Sequence, residues 1–158
     1  MKKYIYTEAY RLLENFTPIK GDCGELCGKS CCKGDGRTGM LLFPGEETTL
    51  DVIEENGRRL AVCGGRCDRS ERPLSCRIFP FFPVISGGKV RAVPDLRGIN
   101  VCPMLSHTDK IKFSRRFLRR VERVGELLLT DPECTAFMKE IAEEIEDAEK
   151  INELFSTK

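Results

Sequence analysis

The sequence predicts a small α+β domain that is rich in turns, has little β-sheet and ends in an antiparallel helical hairpin. Eight of the nine cysteines lie between Cys23 and Cys102, where glycine and proline are frequent, and this composition predicts turns rather than long helices. Short apolar runs in the same part of the chain indicate brief strands. After residue 106, apolar residues recur at helical spacing, which predicts two helices.

The part before residue 106 is predicted to contain one helix and several short strands. Thr7 would cap a helix over residues 7–16, and the glycines of residues 21–39 predict turns with at most one helical turn. The later elements are, in order, a buried strand at 40–43, a partly helical stretch at 46–56, a short apolar run at 60–62, an extended or turned stretch from Arg72-Pro73 to Pro83, and a hairpin at 84–90 around Gly87-Gly88.

The C-terminal part is predicted to form two helices of opposite charge. Residues 111–129 have apolar side chains close to helical period, and Asp131-Pro132-Glu133 gives the second helix a cap, a first-position proline and an acid. The second helix has one apolar face, formed by Phe137, Ile141, Ile145, Ala148 and Ile151. Residues 110–123 contain seven bases and one acid, whereas residues 133–158 contain eight acids and three lysines. Antiparallel packing would set these opposite charges side by side.

The chain length indicates one domain with an appended element. Residues 1–105 are predicted to form a cysteine-cluster metal-binding domain with the N-terminal helix, and residues 106–158 a helical hairpin packed on it, within a single structural unit. The net charge of +1 indicates no particular partner, so we expect a metal ion but neither nucleic acid nor membrane. Without a signal sequence or a membrane span, the expected location is the cytoplasm, where thiols stay reduced.

The cysteines have the spacing of metal ligands. Cys23 and Cys27 form one Cys-x3-Cys pair, Cys63 and Cys67 form a second, and two such pairs from separate segments can complete a tetrahedral zinc site. Enough cysteines remain for a second site or for shared ligands in a cluster: Cys31, Cys32, Cys76 and Cys102. Iron–sulfur clusters also use four cysteines, so the spacing alone leaves zinc, iron and an iron–sulfur cluster open.

Neighbouring residues refine this pattern. Cys31 and Cys32 are adjacent, so their side chains tend to diverge, and one of them could be buried instead of binding metal. Residues 58–77 contain six arginines and two acids, which would stabilise bound thiolates or else form a solvated basic face. The ninth cysteine, Cys134, lies in the first turn of the last helix and is expected to be structural.

The most specific pattern in the chain reads Arg-Pro-Leu-Ser-Cys-Arg-Ile-Phe-Pro and spans residues 72–80. It follows Pro44-x-Glu46 and the earlier cysteines, and it precedes Cys102-Pro103. On these residues the chain resembles, over residues 22–104, the YkgJ-type cysteine-cluster family, which is described as zinc- or iron-chelating. The first group is spaced Cys-x3-Cys-x3-Cys-Cys, looser than the family's CxxCxxCC. The resemblance implies eight ligands: Cys23, Cys27, Cys31, Cys32, Cys63, Cys67, Cys76 and Cys102.

Spacing and resemblance together predict a metal-binding protein that holds zinc or iron, with an iron–sulfur cluster as the alternative cofactor. A branch related to the same family is described as flagellin lysine N-methylase. That branch suggests an alternative function as an iron–sulfur-dependent methylase-like or redox enzyme. A metal carrier or sensor that releases its ion is the other alternative. The sequence leaves the identity of any protein partner open.

Metal binding of this kind is expected to supply folding energy, because an unfolded chain has no preformed site. Removing the metal with a chelator, or replacing both Cys63 and Cys67 with serine, is therefore expected to unfold residues 21–104. Circular dichroism and thermal unfolding measure the change. A double variant with an unchanged spectrum and an unchanged midpoint would contradict the prediction.

Overall fold

The computed structural model describes residues 2–19, 39–62, 69–100 and 102–156. Over these residues the fold is α+β, as predicted, with five helices and two small antiparallel sheets. The helices are α1 (Lys2–Leu13), α2 (Leu74–Ile78), α3 (Pro103–Ser106), α4 (Arg115–Leu128) and α5 (Pro132–Ser156). The strands are β1 (Gly39–Leu41), β2 (Asp51–Glu55), β3 (Arg58–Val62), β4 (Phe81–Ser86) and β5 (Lys89–Pro94). Two 3₁₀ turns lie at Arg69–Glu71 and Leu96–Gly98.

Helix α1 begins at Lys2, so the predicted cap at Thr7 is wrong. Thr7 lies inside the helix, where its hydroxyl donates to the carbonyl oxygen of Lys3 at 2.9 Å. The buried face of α1 is formed by Ile5, Tyr6, Ala9, Leu12 and Leu13. The apolar spacing therefore identified the helix but not the residue at which it begins.

The first sheet has the order β1-β3-β2 and is entirely antiparallel. Strand β1 confirms the predicted strand near residues 40–43. The partly helical prediction for residues 46–56 is wrong, because β2 occupies residues 51–55 and turns directly into β3. Asn56 and Gly57 form the turn with φ values of 54° and 77°, the positive pair that a two-residue hairpin needs.

The second sheet is the β4–β5 hairpin, which confirms the predicted turn at Gly87-Gly88. Helix α2 precedes it and corrects the prediction that residues after Arg72-Pro73 are extended or turned. Pro73 is the N-cap of α2, where a missing backbone N–H costs nothing, so the proline starts this helix instead of preventing it.

The β4–β5 hairpin lies between the two long C-terminal helices. Phe81 and Phe82 are adjacent in β4 and therefore point to opposite faces. The Phe81 ring lies 6.3 Å from that of Phe117 in α4, centroid to centroid. Phe82 instead stacks at 5.8 Å on Phe43, whose ring lies 4.9 Å from that of Phe137 in α5. Helices α4 and α5 thus pack mainly against opposite faces of the hairpin.

This arrangement corrects the expected pairing of charges between the C-terminal helices. The start of α5 is as predicted, since Asp131 Oδ2 accepts a hydrogen bond from the Cys134 N–H at 2.9 Å. In the part of the chain that the structure describes, no ion pair joins α4 to α5. The acids of α5 bind other elements: Glu133 pairs with Lys2, and Glu140 and Glu144 pair with Arg58 of β3.

One buried cluster combines residues from both sides of residue 106. It contains the apolar faces of α1, α2, α4 and α5 together with Phe43, Phe81 and Phe82. A smaller cluster surrounds Cys102, Met104 and Leu105. Among the described helices, none combines the length and the apolar character that crossing a membrane requires.

Gly125 of α4 lies directly against the hairpin, and a Cβ atom there would come within 2.6 Å of Pro83 Cβ and Val90 Cγ1. We expect Gly125→Ala to lower the free energy of unfolding by about 1–2 kcal/mol. Overpacking costs about 1–3 kcal/mol, and the gain in helix propensity recovers at most about 1 kcal/mol.

Urea denaturation measures this change, and Glu126→Ala is the matched control. Glu126 is exposed in the same helix, so its replacement should alter stability by less than about 0.5 kcal/mol. A Gly125→Ala variant as stable as the unmodified protein would contradict the close packing of α4 on the hairpin.

Candidate metal centre

Six of the eight predicted ligands lie outside the described residues: Cys23, Cys27, Cys31, Cys32, Cys63 and Cys67. The other two, Cys76 and Cys102, are described. Within residues 2–19, 39–62, 69–100 and 102–156, no three His, Cys, Asp or Glu side chains are grouped closely enough to hold a metal ion. The structure therefore describes the residues around two candidate ligands, and the other six candidates are given by the sequence alone.

The β1–β3 pair shows where the two cysteine groups are attached to the sheet. The chain enters β1 at Gly39, after the first cysteine group, and leaves β3 at Val62, directly before Cys63. Gly39 is the register partner of Val62. Partners in an antiparallel pair have Cα atoms roughly 5 Å apart. The chain that comes from the first cysteine group therefore enters the sheet at the same end at which the chain leaves toward Cys63.

Cys76 lies in α2, which is fixed to the same sheet. Its side chain is half-buried, and its N–H donates to the carbonyl oxygen of Pro73 at 3.0 Å. The preceding residue, Ser75, donates its hydroxyl hydrogen to the carbonyl oxygen of Leu41 in β1 at 2.6 Å. This bond ties the helix that carries Cys76 to the strand that follows the first cysteine group.

Cys102 is buried immediately before α3, and its N–H donates to the carbonyl oxygen of Gly98 at 3.0 Å. The small cluster around it includes Phe79, which directly follows α2, and Ile19, which is the last described residue before the first cysteine group. A Cβ atom on Gly98 would come within 2.7 Å of the Phe79 ring. Cys102 therefore belongs to a packed region that also includes the end of α2.

Sequence reasoning did not identify the role of Glu46, a carboxylate that is 0% exposed. Its Oε2 atom accepts hydrogen bonds from the Tyr10 hydroxyl at 2.5 Å and from the Leu74 N–H at 2.7 Å. Its Oε1 atom accepts one from the Phe43 N–H at 3.1 Å. Burial raises the pKa of Glu46, while these three hydrogen bonds and the charge of Arg77 act in the opposite direction. The only sequence signal was the Pro44-x-Glu46 pattern itself.

Arg77 holds the chain on the other side of Cys76. Its Nε donates to the Arg72 carbonyl oxygen at 2.7 Å and its Nη2 to the Ser70 carbonyl oxygen at 2.8 Å. The guanidinium also lies 4.3 Å above the centre of the Tyr10 ring, a cation–π contact. Burial, then the charge of Glu46, raises the pKa of Tyr10, so its hydroxyl keeps its proton and donates to Glu46.

The predicted arginine shell is only partly compatible with these contacts. Arg58 forms ion pairs with Glu140 and Glu144 of α5, and the hydrogen bonds that it donates to Glu144 are the main cause of its raised pKa. Arg66 lies outside the described residues. Arg77 donates hydrogen bonds to backbone carbonyl groups, and these bonds hold the chain around Cys76.

Cys134 is fully buried, in agreement with its predicted structural role. Its Sγ atom lies 3.3 Å from the Tyr6 hydroxyl oxygen, and the Tyr6 hydroxyl donates to the Pro44 carbonyl oxygen at 2.5 Å. Burial is the main cause that raises the pKa of this thiol to about 11. The ninth cysteine therefore remains a protonated thiol at neutral pH.

We expect Cys134 to resist alkylation by iodoacetamide in the native protein at pH 8. The thiolate is the reactive form, and with a pKa of about 11 it makes up only ~0.1% of the thiol at that pH. Peptide mass spectrometry should show labelling at least about 100-fold slower than in guanidinium chloride, where the side chain is exposed. Labelling at the rate of the denatured protein would contradict the buried, protonated assignment.

Comparisons with protein-family models, curated proteins and solved structures find no match to this chain. The expectation of a metal centre therefore depends on the residues of the chain itself. The relevant observations are the spacing of the cysteines in the sequence, the end of the sheet at which β1 begins and β3 ends, and the contacts that fix Cys76 and Cys102.

Proposed function

We propose that this protein binds a metal ion through clustered cysteine thiolates, with zinc as the first choice and iron or an iron–sulfur cluster as the alternative. The main support is the Gly39–Val62 register, because the chain from the first cysteine group enters the sheet at the end where the chain leaves toward Cys63. The Ser75–Leu41 hydrogen bond supports it further, since it holds the helix of Cys76 against that sheet.

The donor set fits such a metal. Cysteine thiolates are soft ligands that select zinc, copper(I) or iron–sulfur clusters over magnesium or calcium. Four ligands complete a structural zinc site or an iron–sulfur cluster, so eight candidates suffice for two sites or for one site with shared ligands. When bound, the metal supplies cross-links between segments of the chain that are far apart in sequence, which is the stabilising role of structural zinc.

The residues around the two described ligands favour a fixed site. Cys102 is buried in an apolar cluster with Met104 and Leu105, and Cys76 lies between residues that are hydrogen-bonded to the body of the protein. Ligands held by their neighbours lose little freedom when they bind, which raises metal affinity. A stably held metal agrees better with this environment than an ion that exchanges readily.

Elemental analysis and colour of protein purified without oxygen test the proposal. A colourless preparation with stoichiometric zinc identifies a zinc protein, whereas a brown preparation that contains iron and sulfide identifies a cluster. Cys76→Ser and Cys102→Ser are each expected to lower the bound metal by at least about half, because each removes one thiolate from a four-ligand site.

Cys134→Ser is the matched control. Cys134 is as buried as Cys102 and receives the same substitution, but it is paired with Tyr6 and is not a predicted ligand. It should leave the metal content unchanged. An unmodified protein that is fully folded and contains no metal would exclude the proposed function, and equal metal loss in all three variants would exclude Cys76 and Cys102 as specific ligands.

A further inference from the structure

We propose that Glu46 is a positioning residue for Cys76: its buried carboxylate holds α2 in the orientation that presents this thiolate to the metal. The inference rests on the proposed metal-binding function and adds a non-cysteine residue on which metal affinity depends. Three sets of contacts around α2 support this role of Glu46.

The first contact is the cap of α2. A helix leaves its first N–H groups without intrahelical partners, and the N-cap side chain normally accepts from one of them. Pro73 is the N-cap and has no side chain that can accept. The carboxylate of Glu46 replaces it by accepting from Leu74 N–H across 28 residues of sequence. The start of this five-residue helix is therefore fixed from outside the helix.

The second observation is that only a carboxylate satisfies this position. Glu46 has three donors around it, from Tyr10, Leu74 and Phe43, and they engage both of its oxygens. The amide of glutamine has a single oxygen, and its NH2 group would face a donor instead of accepting from it. A buried carboxylate is costly, and it persists here with all of its donors arranged around it.

The third set of contacts fixes the residues on both sides of Cys76. The Ser75 hydroxyl donates a hydrogen bond to the Leu41 carbonyl oxygen in β1, and Arg77 donates to the carbonyl oxygens of residues 70 and 72. Arg77 also stacks on Tyr10, the residue that donates to Glu46. A single connected set of contacts therefore determines where the backbone of Cys76 lies relative to the sheet. Hydrogen-bond partners of a metal ligand typically contribute 10–100-fold to metal affinity, and we expect the contacts that fix the backbone of Cys76 to act in the same range.

Cobalt titration of the full chain tests this role, because thiolate-to-cobalt absorption reports thiolate ligands directly. We expect Glu46→Gln to weaken cobalt binding by about 10–100-fold and to reduce the thiolate band. Tyr10→Phe removes one donor to Glu46 and should cause a smaller loss in the same direction. It also keeps the test available if Glu46→Gln folds poorly.

A double-mutant cycle separates positioning from general destabilisation. If Glu46 acts through Cys76, Glu46→Gln should weaken binding by less than about 3-fold in a Cys76→Ser background, since coupled residues are not additive. Tyr6→Phe is the matched control: it removes another buried hydroxyl of α1, which donates to the Pro44 carbonyl oxygen and not to Glu46. This variant should keep the cobalt affinity of the unmodified protein.

The outcomes distinguish the two proposals. Absence of a thiolate-to-cobalt band in the unmodified protein would exclude the proposed function and this inference with it. A normal band combined with additive effects of Glu46→Gln and Cys76→Ser would overturn only the positioning role. Unchanged affinity in Glu46→Gln, or an equal loss in Tyr6→Phe, would overturn the positioning role in the same way.

Discussion

The hydrogen bonds to the buried carboxylate of Glu46 connect three parts of the chain that are distant in sequence. Tyr10 comes from α1, Leu74 from the start of α2, and Phe43 from the segment after β1. Each donor reaches a fully buried acceptor, so none of these bonds can be exchanged for water without exposing the core. The position of α2 depends on them, and through α2 so does the orientation of Cys76.

Local signals in the sequence predicted the elements that depend on adjacent residues. The hairpin at Gly87-Gly88 and the start of α5 at Asp131 were identified because turn and cap chemistry is contained within a few residues. Asn56-Gly57 carries the same kind of signal, but residues 46–56 were interpreted as partly helical, and β2 was missed. The positions of α4 and α5 relative to each other could not be predicted, because β4 and β5 separate them and come from earlier in the chain.

The sequence predicted those parts of the candidate site that are marked by cysteines at the spacing of metal ligands. Spacing pairs Cys23 with Cys27 and Cys63 with Cys67, and the family resemblance adds Cys76 and Cys102 to the candidate ligands. Cys134 is set apart from them, and the structure agrees that it is buried in a separate environment beside Tyr6. The role of Glu46 could not be predicted from the spacing of cysteines. Its partners in α1 and α2 lie 36 and 28 residues away, and no pattern in the sequence states that Tyr10 and Leu74 converge on it.

The hairpin between α4 and α5 keeps two helix surfaces of opposite charge apart. The exposed arginines of α4 (Arg115, Arg116, Arg119 and Arg123) lie on one side, and the exposed acids of α5 (Glu143, Glu146, Asp147 and Glu149) lie on the other. With a net charge of only +1, the chain is nearly neutral as a whole, although these two helix surfaces carry opposite charges. Each surface therefore acts on nearby charges more strongly than the net charge suggests, and this effect weakens as salt screens it.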